Sequence, residues 1–165
     1  MTDRWLSLIG TFYKQQKIQL YNYALSIVHQ PAEAEDVVHT SLEKLLKFSE
    51  SHKLTSGDLR VLSIKLIKTT ALDVLRKRKV RNEVNFDLTT ILDERSLSSE
   101  HLLVAEHFSC LTENEKEVII LKEVMGYKYR EIAQIMDESP STVSSRYRRG
   151  ISKMRTRIQE AKDHE

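Results

Sequence analysis

The apolar positions of this chain recur at steps of three and four residues almost from end to end, the spacing of a buried helix face. Near the N-terminus Trp5, Leu8, Ile9 and Phe12, then Leu20, Tyr21, Ala24, Leu25 and Val28, predict an amphipathic helix, with an interruption near Gly10 or around the polar Lys14–Lys17 segment. Pro31 opens a second helix. Glu33, Glu35 and Asp36 read as its first turn, where the helix dipole favours acid, and Val37, Val38, Leu42, Leu45, Leu46 and Phe48 as its apolar side. A polar, mobile loop is expected from Ser49 to Gly57. A third helix runs from about Asp58 into the basic Arg76–Lys79 cluster, with Leu62, Leu66, Thr69, Leu72 and Leu75 as its interior stripe. Residues 82–99 then lose the period, carry excess acid and read as an extended linker. A short helix near Thr90–Glu94 is the structured alternative.

The last third carries the clearest punctuation. Thr112 and Glu115 have the spacing of a capping box, so a helix should start there, with Val118, Ile119, Leu121 and Val124 for burial and Gly126 as its stop. Ile132, Ala133 and Ile135 mark a short second helix, and Asp137-Glu138-Ser139 a tight turn. Ser139 can cap the final helix, with Pro140 at its first position, where a missing N–H is harmless. In that helix Val143, Ile151 and Met154 form the apolar seam, while Arg146, Arg148, Arg149, Lys153, Arg155 and Arg157 all precede the next acid, Glu160. A basic helix after a tight turn, with small polar residues near its start, has the form of a recognition helix lying in a DNA major groove. A solvated basic face on an ordinary bundle helix is the bland alternative.

Composition changes this picture mainly through where the charges fall. The chain has 165 residues and a net charge of only +2, but Lys65, Lys68, Arg76, Lys77, Arg78, Lys79 and Arg81 make a second basic block broken only by Asp73. Segregated charge of this kind suits a nucleic-acid binder with an acidic face for another partner. Cys110 is the only cysteine, which excludes a disulfide framework and cysteine-based zinc sites, and it reads as a small buried hydrophobe. No secretory leader or long apolar run is evident, so a soluble, cytoplasmic chain without membrane insertion is expected. Four glycines and two prolines point to an all-α fold.

Catalytic signatures are missing from the sequence: no Gly-rich phosphate loop, GxSxG or HExxH is present. His29, His39, His52, His101, His107 and His164 show no ligand clustering. The expectation is therefore a non-enzyme with no cofactor and no metal.

In order and spacing these segments resemble the extracytoplasmic-function sigma factors of bacterial RNA polymerase, over most of the chain. AEAEDVVHTSLEKLLKF resembles the family's region 2.2 helix, with its Ala34-Glu35-Asp36 triplet. IKLIKTTALDVLRKRK resembles regions 2.3 and 2.4, ending in Asp73 and Arg76, and LTENEKEVIILKEVMGYKYREIAQIMDESPSTVSSRYRRG resembles region 4. The resemblance implies two small helical domains, residues 1–81 and 100–165, joined by the 82–99 linker. It implies core polymerase as partner, through the clamp helices of its largest catalytic subunit and the flap of the other large subunit. Promoter DNA is a second partner and an anti-sigma factor a possible third.

The same resemblance assigns residues. Asp36, His39, Thr40 and Glu43 would meet polymerase. Lys65, Lys68, Thr69, Arg76, Lys77 and Arg78 would meet the −10 element, with Thr69 and the Ser49–Gly57 loop forming a pocket for an unstacked base. Ser141, Thr142, Ser144, Ser145, Arg146, Arg148, Arg149 and Lys153 would meet the −35 duplex. Tyr127 and Tyr129 read as helix-packing residues, with a phosphate hydrogen bond from one of them as the alternative. The chain departs from the family pattern at Leu62 (usually Trp), Thr69 (Asn), His39 (Gln), Leu42 (Phe) and Ser144 (often basic). A stand-alone helix-turn-helix regulator remains the alternative reading, though the N-terminal part has no alternating strand-helix pattern for a receiver domain.

Overall fold

The computed structural model describes residues 2–78 and 107–164. The expected linker at 82–99, the short helix near Thr90–Glu94, and Lys79, Arg81 and His101 lie outside these. All regular structure among the described residues is helical, and the chain divides into two compact units, each considered by itself.

The first unit is a three-helix bundle of α1 (Thr2–Val28), α2 (Pro31–Ser51) and α3 (Ser56–Lys77), each packed on the other two. α1 runs without interruption for 27 residues. Gly10 is exposed, and although a mid-helix glycine costs roughly 0.5–1 kcal/mol against alanine, Ile9 and Phe12 on either side are buried and hold the helix straight through. The core face of α1 is completed by Tyr23 and Ile27, which the periodicity reading passed over, while Trp5, Leu8, Tyr21 and Leu25 are only half-buried. His29 links α1 to α2 in the left-handed region (φ 58°), and its N–H donates to the Leu25 carbonyl. Pro31 occupies the first turn of α2, but only Glu33 lies in that turn.

Two further expectations are corrected here. The α2–α3 connection is shorter than Ser49–Gly57, because α2 continues to Ser51 with Ser49 buried, and α3 starts at Ser56. The start is set by a capping box that the sequence contains but the reading missed: Thr55 Oγ1 accepts from the Asp58 N–H (3.2 Å) and Asp58 accepts from the Thr55 N–H (2.8 Å). The Thr55 hydroxyl also donates to the Asp58 carboxylate (2.7 Å), and this bond, with that from the Thr55 N–H, holds the carboxyl below its ordinary pKa. The interior stripe of α3 is also different. Leu59, Ile64, Ile67, Ala71 and Leu75 are buried, whereas Leu62, Leu66 and Leu72 are half-buried and Thr69 is exposed. Both stripes have helical spacing and share Leu75, and packing against α1 and α2 decides between them; the buried side also takes in Val61, Ser63 and Thr70. Between α2 and α3 the buried Thr70 Oγ1 accepts from Lys44 Nζ (3.0 Å) and Ser41 Oγ (3.3 Å).

The second unit comprises a 3₁₀ turn (Phe108–Cys110), α4 (Glu113–Ile119), a π-helical turn (Ile120–Val124), α5 (Tyr129–Met136) and α6 (Pro140–Asp163). Thr112 and Glu115 form the expected capping box at α4. The widened turn after it went unforeseen: the Met125 N–H reaches back to the Ile120 carbonyl (3.0 Å) and the Tyr127 N–H to that of Leu121 (2.8 Å). Gly126 follows at φ 71°, a conformation that a side chain would strain. α5 ends at Asp137, which takes the left-handed conformation (φ 54°) that aspartate tolerates better than most residues. Ser139 caps α6 by accepting from the Thr142 N–H (3.1 Å), with Pro140 in the first turn. Val118, Ile120, Leu121, Ile132 and Val143 close the core at zero exposure, and Cys110 is half-buried.

Candidate nucleic-acid and polymerase interfaces

In the first unit, helical geometry sorts the predicted residues onto separate surfaces. Asp36, His39, Thr40 and Glu43 follow one another at steps of three and four on α2, and all are exposed. Their stripe lies opposite the buried line of Ala34, Val37, Val38, Ser41 and Leu45. None of the four has a hydrogen-bond or ion-pair partner among the described residues. Since Asp36 falls outside the first turn, capping or a dipole interaction does not account for it.

On α3, Lys65, Lys68, Thr69, Asp73, Arg76 and Lys77 share the side facing away from the buried stripe. Thr69 is exposed and its hydroxyl donates to the Lys65 carbonyl (2.9 Å), which fixes its rotamer. Lys65 and Lys68 are half-buried, each with contacts of its own. Lys77 is exposed, and Arg76 pairs with Asp73 one turn earlier (3.0 Å). Arg78 stands apart from this group. It continues the Ile67–Ala71–Leu75 line and points at the bundle, where its guanidinium donates to the Val28 carbonyl (2.8 Å) and lies 2.5 Å from Glu33. It ties the end of α3 to the α1–α2 corner. The Ser49–Gly57 neighbourhood supplies a hollow lined by Trp5, Leu8, Lys53, Leu54 and Thr55, and Thr69 is not among its lining residues.

In the second unit the residues expected to read DNA divide into an outward face and two flanks of α6. Of the expected seam, Val143 and Met154 are buried against the other helices together with Gly150, while Ile151 is half-buried. Gly150 packs closely there: a Cβ would stand 2.8 Å from Ile119 Cδ1, so the end of that side chain would have to shift. Directly opposite, Ser141, Thr142, Ser145, Arg148 and Arg149 are exposed. The hydroxyls of Ser141 and Thr142 lie 3.0 and 2.8 Å from Ser139 Oγ, so the cap also orders the start of the outward face. Ser144 sits half-buried on one flank.

The other flank holds the two remaining cations, and both are neutralised by acids from other elements. Arg146 donates to Glu138 of the turn, and Lys153 to both oxygens of Glu115 (3.0 and 2.8 Å). Burial pushes the Glu115 carboxyl up, but the Lys153 hydrogen bond, the Thr112 N–H and the Lys153 charge together bring it below its ordinary value. A run of cations uninterrupted in sequence is thus partly balanced in space.

Tyr147, inside the same helix, was not singled out by the sequence. Its hydroxyl donates to Glu123 (2.7 Å), its ring meets Tyr129 edge-on (5.7 Å between centroids), and Lys122 lies 5.0 Å from the Tyr129 centroid. The Glu123 hydrogen bond, burial and the Glu123 charge raise the Tyr147 pKa to about 12. Tyr127 is buried, as a packing role requires. Among the described residues no group of His, Cys, Asp and Glu could hold a metal ion, and no helix is long and apolar enough to cross a membrane.

A three-helix bundle bearing a basic helix and a helix-turn-helix unit on one chain is the layout of a promoter-recognising transcription factor. The family model for Sigma-70 region 2 matches residues 12–81 and that for Sigma-70 region 4 matches residues 103–154. The chain is 27% identical over 155 residues to RNA polymerase sigma factor SigV of Bacillus subtilis, covering 92% of each protein. It is 25% identical over 160 residues to the ECF RNA polymerase sigma factor SigL of Mycobacterium tuberculosis, covering 93% of this chain and 90% of that protein. In fold it is similar to the sigma factor RpoE of Bartonella quintana, solved with the anti-sigma factor NepR, with a TM-score of 0.63 at 18% identity over 95% of both chains. The chain belongs to the sigma-70 family, as a sigma factor of the extracytoplasmic-function class.

Proposed function

We propose that this alternative sigma factor, which directs core RNA polymerase to promoters, divides its work between its two units. The unit at 1–81 docks on polymerase through Asp36, His39, Thr40 and Glu43, and contacts the −10 element through Lys65, Lys68, Thr69, Arg76 and Lys77. The unit at 100–165 places α6 in the major groove of the −35 duplex, with Ser141, Thr142, Ser145, Arg148 and Arg149 towards the DNA. Residues 82–99 join the two.

Arg78 takes a structural part in this division, since its guanidinium is engaged at the α1–α2 corner. Lys153 and Ser144 border the DNA face from its flanks. The observation that carries the reading is the exposed polar and basic face of α6 set opposite a buried seam. A helix with one face committed to the core and the other bearing Ser, Thr and Arg can dock in a groove without rearranging.

Linking two modest DNA contacts raises the effective concentration of the second, so neither unit needs high affinity alone. Bond making belongs to the polymerase, and this chain supplies promoter choice and strand opening in the cytoplasm. RpoE of Bartonella quintana was solved with an anti-sigma factor, and the exposed acidic stripe of α2 suits a comparable inhibitor here, one that competes with polymerase.

The test is transcription of fragmented host DNA by purified core polymerase with and without the chain, reading the 5′ ends. New starts that share −35 and −10 elements are expected. Intact core binding without new starts would remove the promoter assignments, and loss of core binding as well would favour a stand-alone regulator.

A further inference from the structure

Glu138 has no part in the reading above, yet it is the acid nearest the front of the DNA-facing helix. It lies in the tight turn, one residue before the Ser139 cap, and its carboxylate accepts from the Arg146 guanidinium two turns into α6. The pair is shielded: the side chains are 14% exposed for Arg146 and 26% for Glu138, while Arg148 and Arg149 further along are open to solvent. A guanidinium held this way has surrendered rotamer freedom before DNA arrives, and its charge is cancelled at a distance.

We propose that Glu138 is a specificity-determining positioning residue of the DNA reader. It holds Arg146 back from indiscriminate phosphate contact, so that Arg146 contributes to binding only at the cognate −35 site. The proposal rests on the assignment of α6 to the −35 duplex. Arg146 is commonplace as a cation on a recognition helix; what the structure adds is a partner that regulates its use. Affinity for arbitrary DNA grows with each phosphate neutralised, so a cation kept out of that sum lowers background binding by more than it lowers specific binding, where base-edge contacts offset the broken pair.

The test uses the full chain assembled with core polymerase and two duplexes. One is a promoter taken from the mapped transcripts; the other is the same duplex with its −35 element scrambled and its −10 element kept. Glu138→Gln preserves shape and removes the charge. It should strengthen binding to the scrambled duplex by about fivefold, leave the promoter within about twofold, and add about one to the salt slope on scrambled DNA. In an Arg146→Ala background the same change should gain nothing on scrambled DNA.

A simple loss of negative charge would instead produce the same gain with or without Arg146, and that result overturns the proposal. So does a promoter-to-scrambled ratio unchanged by Glu138→Gln. Glu138→Ala provides a second variant, and thermal melting of each confirms that it folds. Arg148→Ala with Arg149→Ala separates the two levels. If that double variant loses the promoter preference while Glu138→Gln changes nothing, the −35 assignment stands and the role of Glu138 falls; if it keeps the preference, the −35 assignment itself falls.

Discussion

The polar stripe of α2 and the polar face of α6 are similar in length and exposure but differ in what surrounds them. Around Asp36, His39, Thr40 and Glu43 no hydrogen bond or ion pair forms among the described residues. Around α6, Glu138, Glu115 and Glu123 reach in from the turn, from α4 and from the π-helical turn to hold Arg146, Lys153 and Tyr147. The first surface leaves its polar groups to be satisfied by a protein partner that brings its own donors. The second has its flanks held in place by acids of its own unit, which leaves the outward face of Ser, Thr and Arg as the part free to meet a duplex.

The sharpest way to break this contrast is to strip the outward face of α6. Arg148→Ala with Arg149→Ala should lower affinity for −35-containing promoters by roughly 2–6 kcal/mol, given about 1–3 kcal/mol per well-placed arginine, while core binding measured by titration stays unchanged. Gly150→Leu should come next. The added side chain would have to displace Ile119 and crowd Glu115, and overpacking of this kind costs about 1–3 kcal/mol, to be read as a lower melting temperature of the second unit alone. Asp36→Ala should weaken polymerase binding by about tenfold, as loss of a charged contact at an interface does, with the melting temperature unmoved because the residue supports nothing within the fold.

Smaller effects test the supports of α6. Removing the Tyr147 hydroxyl with Tyr147→Phe should cost about 0.5–1.5 kcal/mol. The raised Tyr147 pKa stabilises the fold fully below the ordinary tyrosine value of 10.0, and the contribution is lost as pH rises through about 12. Alkaline melts should therefore separate wild type from Tyr147→Phe less and less. Glu115 behaves in the opposite sense. Its pKa is depressed in the fold, so its contribution is present above the ordinary value of 4.5 and fades as pH falls below it. Glu115→Gln, which can still cap α4, should flatten the acid limb of the stability profile.

The two units also differed in how far the sequence disclosed them. Around α6 the signals were local and directional: Thr112 with Glu115, Gly126, Ser139 before Pro140. Such residues act on their own helix ends, and the structure places each as read. In α3 two stripes of apolar residues compete at the same spacing, and only the neighbouring helices decide which one is buried. Gly10 misled in the same way, since tertiary packing of Ile9 and Phe12 overrides its poor propensity. For the candidate site, the stripe of α2 and the outward face of α6 followed from helical spacing. The pairing of Arg146, Lys153 and Arg78 did not, because their partners come from other elements, between 8 and 50 residues away. Arg78 was still within reach, as it lies one helical step beyond Leu75.

The π-helical turn at Ile120–Val124 has a bearing on which changes in chain length the second unit can absorb. Such a turn holds one residue more than an α-helical turn over the same arc. It therefore acts as slack in an otherwise taut rod: deleting one residue there lets the turn tighten while the helices on either side keep their phase. The same deletion within α4 proper would swing Val118 out of the core by about 100°. This region is where a shorter relative of the protein would be expected to differ in length and still fold.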